Sequence, residues 1–87
     1  MNLFKFFKKK PLTPRQMCIR TFRRMGYKKD GEDSFEKVRS NSRTIIWLSK
    51  DYIRIKAYIS GYAESDYVSF PPESEKSLRK LIQGNEA

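Results

Sequence analysis

The sequence predicts an α+β fold: a helix, an antiparallel meander of three or four strands and a second helix, with both helices on one face of the sheet. Three observations lead to it. Residues 52–59 read Tyr-Ile-Arg-Ile-Lys-Ala-Tyr-Ile, a period-two alternation that belongs to a strand with one buried face. Apolar residues at helical spacing occur only near the two ends of the chain. Between those ends, Ser40-Asn41-Ser42, Lys50-Asp51 and Ser60-Gly61 divide the middle into strand-length pieces.

Residues 1–12 form a basic, aromatic tail, and residues 13–87 a single domain. The domain opens with Thr13-Pro14 and Gln16, which supply an N-cap, a proline in the first helical position and the acceptor of a capping box. A helix from Pro14 to about Met25 follows, ended by Gly26 in the left-handed conformation. At about 100° per residue, Cys18, Phe22 and Met25 fall together on its buried side, flanked by Met17 and Ile19. Arg20, Arg23 and Arg24 share the opposite side with Gln16, and Arg15 borders them. Residues 28–33 read as a turn. Its acids, Asp30, Glu32 and Asp33, lack the ligand spacing of a calcium loop.

Residues 34–39 suit a first strand. Residues 43–49, apolar on both faces through Ile45, Ile46, Trp47 and Leu48, suit a strand in the middle of the sheet, or one with a face against the helices and the other partly covered. Lys50-Asp51 turns the chain into residues 52–59, where Ile53, Ile55, Ala57 and Ile59 face the core. Residues 62–70 offer a weaker fourth strand, with Glu64-Ser65-Asp66 as a candidate loop within it. Pro71-Pro72 stop the sheet. In the second helix Glu73 and Glu75 are expected in the first turn, and Arg79 and Lys80 in the last, as the helix dipole prefers. Leu78, Leu81 and Ile82 form its buried stripe, and Gly84 is expected to end it.

The 87 residues carry a net charge of +9. Residues 1–30 hold ten Lys or Arg against Asp30 alone, whereas residues 31–87 hold nine of each sign, so all the excess lies in the first third. Such a balance points to acidic partners: nucleic acid, an acidic protein surface or an anionic membrane. There is no histidine, and Cys18 is the only cysteine. This removes a structural disulfide, Cys/His zinc sites and the Ser-His-Asp and Cys-His nucleophile systems. It also suits a reducing, cytoplasmic location. The four glycines stand isolated, so no phosphate-cradling loop is present. Glu64 and Asp66 would share one side of a strand, but no further group converges on them. The expectation is a non-catalytic binding protein with no cofactor, metal or small-molecule substrate.

Three stretches carry candidate contacts. On the first helix, Arg20, Arg23 and Arg24, bordered by Arg15, form a basic stripe with no acid at helical spacing to pair it; a solvated face is its usual meaning, and neutralising phosphates is the functional one. On the strand, Tyr52, Arg54, Lys56 and Tyr58 form a row of aromatics and cations able to stack on unpaired bases and meet phosphates. The same row equally suits the open face of a half-buried sheet. Tyr27 and the arginines of the first helix could extend it. Tyrosine and arginine would also serve as anchors for a protein partner. In the tail, Leu3, Phe4, Phe6 and Phe7 alternate with Lys5, Lys8, Lys9 and Lys10. Phe4, Phe6 and Phe7 with Lys8, Lys9 and Lys10 have the composition of a segment that lies on an anionic membrane; packing back on the domain is the other reading. The charge order is not that of a secretory signal.

The element order resembles that of a double-stranded-RNA-binding domain. Its phosphate-reading residues have no counterparts, because the second helix opens Pro-Pro-Glu-Ser-Glu-Lys and histidine is absent. The chain is also similar in style to small basic proteins of phages and prophages of Gram-positive bacteria, in its size, in the start Met-Asn-Leu-Phe-Lys-Phe-Phe-Lys-Lys-Lys and in Gly-Tyr-Lys-Lys-Asp-Gly-Glu-Asp-Ser-Phe-Glu-Lys. Some proteins of that kind bind and inhibit host proteins, including defence nucleases, so the similarity implies a module that binds a host enzyme as the alternative to the nucleic-acid reading of the residues. An inhibitor of this charge would not be an acidic DNA mimic.

Overall fold

The computed structural model describes residues 13–59 and 64–86. The expected tail contacts of residues 1–12 and the expected bulge or turn at Ser60-Gly61 lie outside them. Helix α1 spans Pro14–Arg24. Five strands follow, β1 (Lys28–Lys29), β2 (Ser34–Arg39), β3 (Ser42–Leu48), β4 (Ile53–Ile59) and β5 (Glu64–Ser69), and helix α2 (Glu75–Asn85) closes the chain. The strands pair antiparallel in sequence order, with β3 at the centre. The architecture is α+β.

The capping box at α1 is complete: Gln16 N donates to Thr13 Oγ1 (3.1 Å), and Thr13 N donates to Gln16 Oε1 (3.0 Å). Gly26 adopts φ 94°, a conformation that costs a residue with a Cβ. This reversal lets the Tyr27 amide donate to Phe22 O (2.9 Å) and lays Lys28 and Lys29 against Glu36 and Phe35. The expected turn over residues 28–33 is therefore a short edge strand plus a tight return, in which Asp30 N donates to Ser34 O (2.9 Å). Two residues are too few for a periodicity to reveal.

The register assigns the two faces. Phe35, Ile46 and Ile55 lie side by side, as do Leu48 and Ile53. They join Cys18 and Phe22 of α1, Tyr27, and Leu78 and Ile82 of α2 in one core. Tyr27 is only 3% exposed, so it does not extend any surface. Its hydroxyl donates to Glu86 Oε2 (2.6 Å), and Glu86 also meets Lys37 (3.7 Å) and Arg39 (3.5 Å). Burial, reinforced by that hydrogen bond, raises the Tyr27 pKa, so the phenol stays a donor and ties the end of α2 to the sheet. Thr21 is fully buried; its hydroxyl reaches back to Met17 O (2.9 Å), which makes a polar residue acceptable on the core side.

Four expectations shift. Ile59 sits on the core face but is 44% exposed, because it ends β4. Glu64-Ser65-Asp66 does not loop out but opens β5, in register with Tyr58, Ala57 and Lys56. Helix α2 starts later than expected: Ser74 is its N-cap, accepting from Ser77 N (3.1 Å), so Glu73 lies outside it. It also runs through Gly84 to Asn85, which places Arg79 and Lys80 in mid-helix, away from the carbonyl end of the dipole.

Candidate nucleic-acid interface

The tyrosine row and the first-helix arginines lie on opposite sides of the molecule. The helices cover the Ile53–Ile55 face of the sheet. Arg54, Lys56 and Tyr58 project from the other face, across from Trp47, Ile45 and Arg43. Tyr52 precedes the strand and is exposed.

On that open face the charges of β2 to β5 are matched one to one. Arg54 makes a two-pronged pair with Asp66, Nε to Oδ1 at 2.9 Å and Nη2 to Oδ2 at 2.5 Å, while its guanidinium lies 5.6 Å from the centre of the Trp47 ring. Lys56 Nζ meets Glu64 Oε1 at 2.7 Å and stands 5.5 Å from the centre of the Tyr58 ring. Arg43 pairs with Glu36. Beneath these long side chains Ile45 is buried. This is the arrangement by which an antiparallel sheet covers a second, thinner apolar layer with cross-strand pairs. It leaves the row electrically neutral.

The Arg54 hydrogen bonds lower the Asp66 pKa against an opposing contribution from burial, and the hydrogen bond to Asp66 raises that of Arg54. The Glu64 hydrogen bond raises that of Lys56. Because the folded pKa of Asp66 lies below its unfolded value, its stabilising contribution is present above the ordinary carboxylate range and is lost as the pH falls through the folded value. Asp66→Asn should therefore lose less melting temperature than the wild type on acidification from about pH 5 to about pH 2; equal slopes in a calorimetric pH series would remove the pair from the account.

The helix layer differs in charge. Gln16, Ile19, Arg20, Arg23 and Arg24 line a shallow depression on α1. An adjoining groove is lined by Arg24, Glu75, Lys76, Arg79, Lys80 and Gln83. Arg24 belongs to both, and its guanidinium bridges to Glu75 Oε1 at 3.0 Å, joining the two helices. The continuous surface holds six cations and one carboxylate, a net of +5. Among the described residues, Arg20, Arg23, Lys76, Arg79 and Lys80 form no ion pair.

Lys76, Arg79 and Lys80 were not among the contact residues that the sequence singled out; Arg79 and Lys80 were read only as partners of the helix dipole. Their signal is present in the i, i+3, i+4 spacing opposite Leu78 and Ile82, but it becomes part of a continuous basic surface only when α2 lies beside α1. Arg15, by contrast, is set apart. It pairs with Asp33 and borders a separate depression with Thr13, Pro14, Cys18, Leu48, Ser49, Lys50 and Pro71. The Cys18 thiol there is buried, and burial raises its pKa against the opposing charge of Arg15, which makes it a poor nucleophile.

Among the described residues no three acidic or cysteine side chains converge to hold a metal ion, and no helix is long and apolar enough to cross a membrane. The candidate membrane contacts Phe4, Phe6, Phe7, Lys8, Lys9 and Lys10 lie outside the described residues. Comparison of the chain with family models, curated proteins and solved structures finds no match.

Proposed function

We propose that the protein is a non-catalytic nucleic-acid-binding protein that grips the sugar-phosphate backbone with the outer surface of its two helices. The observation that carries this reading is the pooling of Arg20, Arg23, Arg24, Lys76, Arg79 and Lys80 around one carboxylate. Long cationic side chains in such excess over acid are what neutralises phosphates and releases counterions. Guanidinium groups add two-pronged hydrogen bonds to phosphate oxygens. Among the described residues no aromatic ring lines this surface, so these residues supply positioning without base stacking, and the expected ligand is a duplex.

Fluorescence anisotropy of labelled duplex and single-stranded oligonucleotides tests this. Six phosphate contacts correspond to an affinity loss of roughly a thousandfold between about 50 and 200 mM salt. Absence of binding at the lower salt would overturn the reading and leave an acidic protein surface as the partner of the helix layer.

A further inference from the structure

The two edges of the sheet are built differently. The β1 edge is two residues long and carries Lys28 and Lys29, a short charged edge of the kind that resists further pairing. The β5 edge is a full six-residue strand, Glu64–Ser69, exposed along nearly all its length, with no proline or lysine to protect it. The helices do not shelter it: Tyr67, on the core side of the sheet, is 38% exposed, and Val68 and Phe70 are 56% and 83% exposed. Three of the six large exposed apolar side chains of the described structure, Tyr67, Val68 and Phe70, thus lie on this strand or next to it in sequence.

We infer that the β5 edge pairs with β5 of a second copy of this chain, giving a continuous ten-stranded sheet about a twofold axis. Charge favours this occupant. The molecule carries +9, so two copies repel over most of their surfaces, but at this edge Arg54 and Lys56 cancel Asp66 and Glu64. The strand is also self-complementary. In an antiparallel pair opposed residues share a face, and centring the axis on Tyr67 sets Tyr67 against Tyr67 of the second copy. It sets Asp66 against Val68, and Glu64 against Phe70. A shift that instead centred the pair on Asp66 would oppose two carboxylates. A twofold axis perpendicular to the sheet keeps faces together, so both basic helix layers would lie on the same side of the assembly.

The test is the mass of the full chain by analytical ultracentrifugation, without nucleic acid, from about 1 to about 100 µM. The expected result is a concentration-dependent rise from 10.4 kDa towards twice that value. Val68→Glu, which sets a second carboxylate against Asp66 of the other copy, and Tyr67→Lys, which opposes two ammonium groups across the axis, should each weaken the dimer at least about tenfold. Both residues are exposed and neither belongs to the core cluster, so the far-ultraviolet circular dichroism should stay that of the wild type. A single-chain mass at all concentrations would overturn the inference, as would a dimer indifferent to both substitutions. Neither outcome bears on the helix layer, whose duplex binding is measured separately.

Discussion

Phe22→Ala is expected to leave the domain largely unfolded at 25 °C. The Phe22 ring is fully buried and tilted against Phe35, with centroids 5.1 Å apart, and against Tyr27 at 6.4 Å. It thus joins α1 to the sheet and to the segment that follows the helix. Truncating a buried phenylalanine costs about 3–5 kcal/mol, and a single core in a chain of this size rarely supplies more than about 3–5 kcal/mol in all. The loss is therefore as large as the stability itself. Urea titration followed by circular dichroism reads it directly. Val38→Ala serves as the control, because Val38 is 66% exposed on β2 and its removal should change stability by less than about 0.5 kcal/mol. A Phe22→Ala protein that melts like the wild type would mean that the helices do not depend on this contact.

The second large effect concerns binding. Replacing Arg20, Arg23, Arg79 and Lys80 together by Gln keeps four solvent-facing side chains of comparable length on their helices and spares the Arg24–Glu75 bridge. Duplex affinity should fall by about a hundredfold or more at near-physiological salt, with the thermal midpoint little changed. Replacing Tyr52 and Tyr58 by Ser should leave duplex affinity within about threefold of the wild type, since the cations beside them are already held by Asp66 and Glu64. If the tyrosine variant lost binding and the helix variant kept it, the roles of the two faces would be reversed.

These expectations show what could be read from the chain. The alternation of Ile53, Ile55 and Ala57 and the capping box of Thr13 and Gln16 are local signals, and each reappears in the structure. So does the placing of the apolar stretch Ile45–Leu48 mid-sheet. The edge strand at Lys28–Lys29 was not legible, because it exists only through its pairing with Glu36 and Phe35 after the reversal at Gly26. Tyr27 beside a run of lysines has the appearance of a surface residue, but it joins the core formed by the sheet and both helices, and its hydroxyl finds a partner in Glu86, 59 positions away. The partners of Arg54 and Lys56 were hidden for the same reason. Asp66 and Glu64 come into contact with them through the β4–β5 register, and no spacing within one strand announces it. The helix-layer site divides in the same way: its first-helix half was visible as an arginine stripe with no acid nearby, and its second half required the packing of α2 on α1.

The central claim is that the helix layer supplies the phosphate contacts. The salt dependence of duplex binding, measured side by side for the wild type and the Arg20/Arg23/Arg79/Lys80→Gln protein, tests it most directly. Each lost phosphate contact lowers the slope of log K against log salt by about 0.9. A slope about 3 to 4 shallower is therefore expected for the variant. Equal slopes for the two proteins would contradict it.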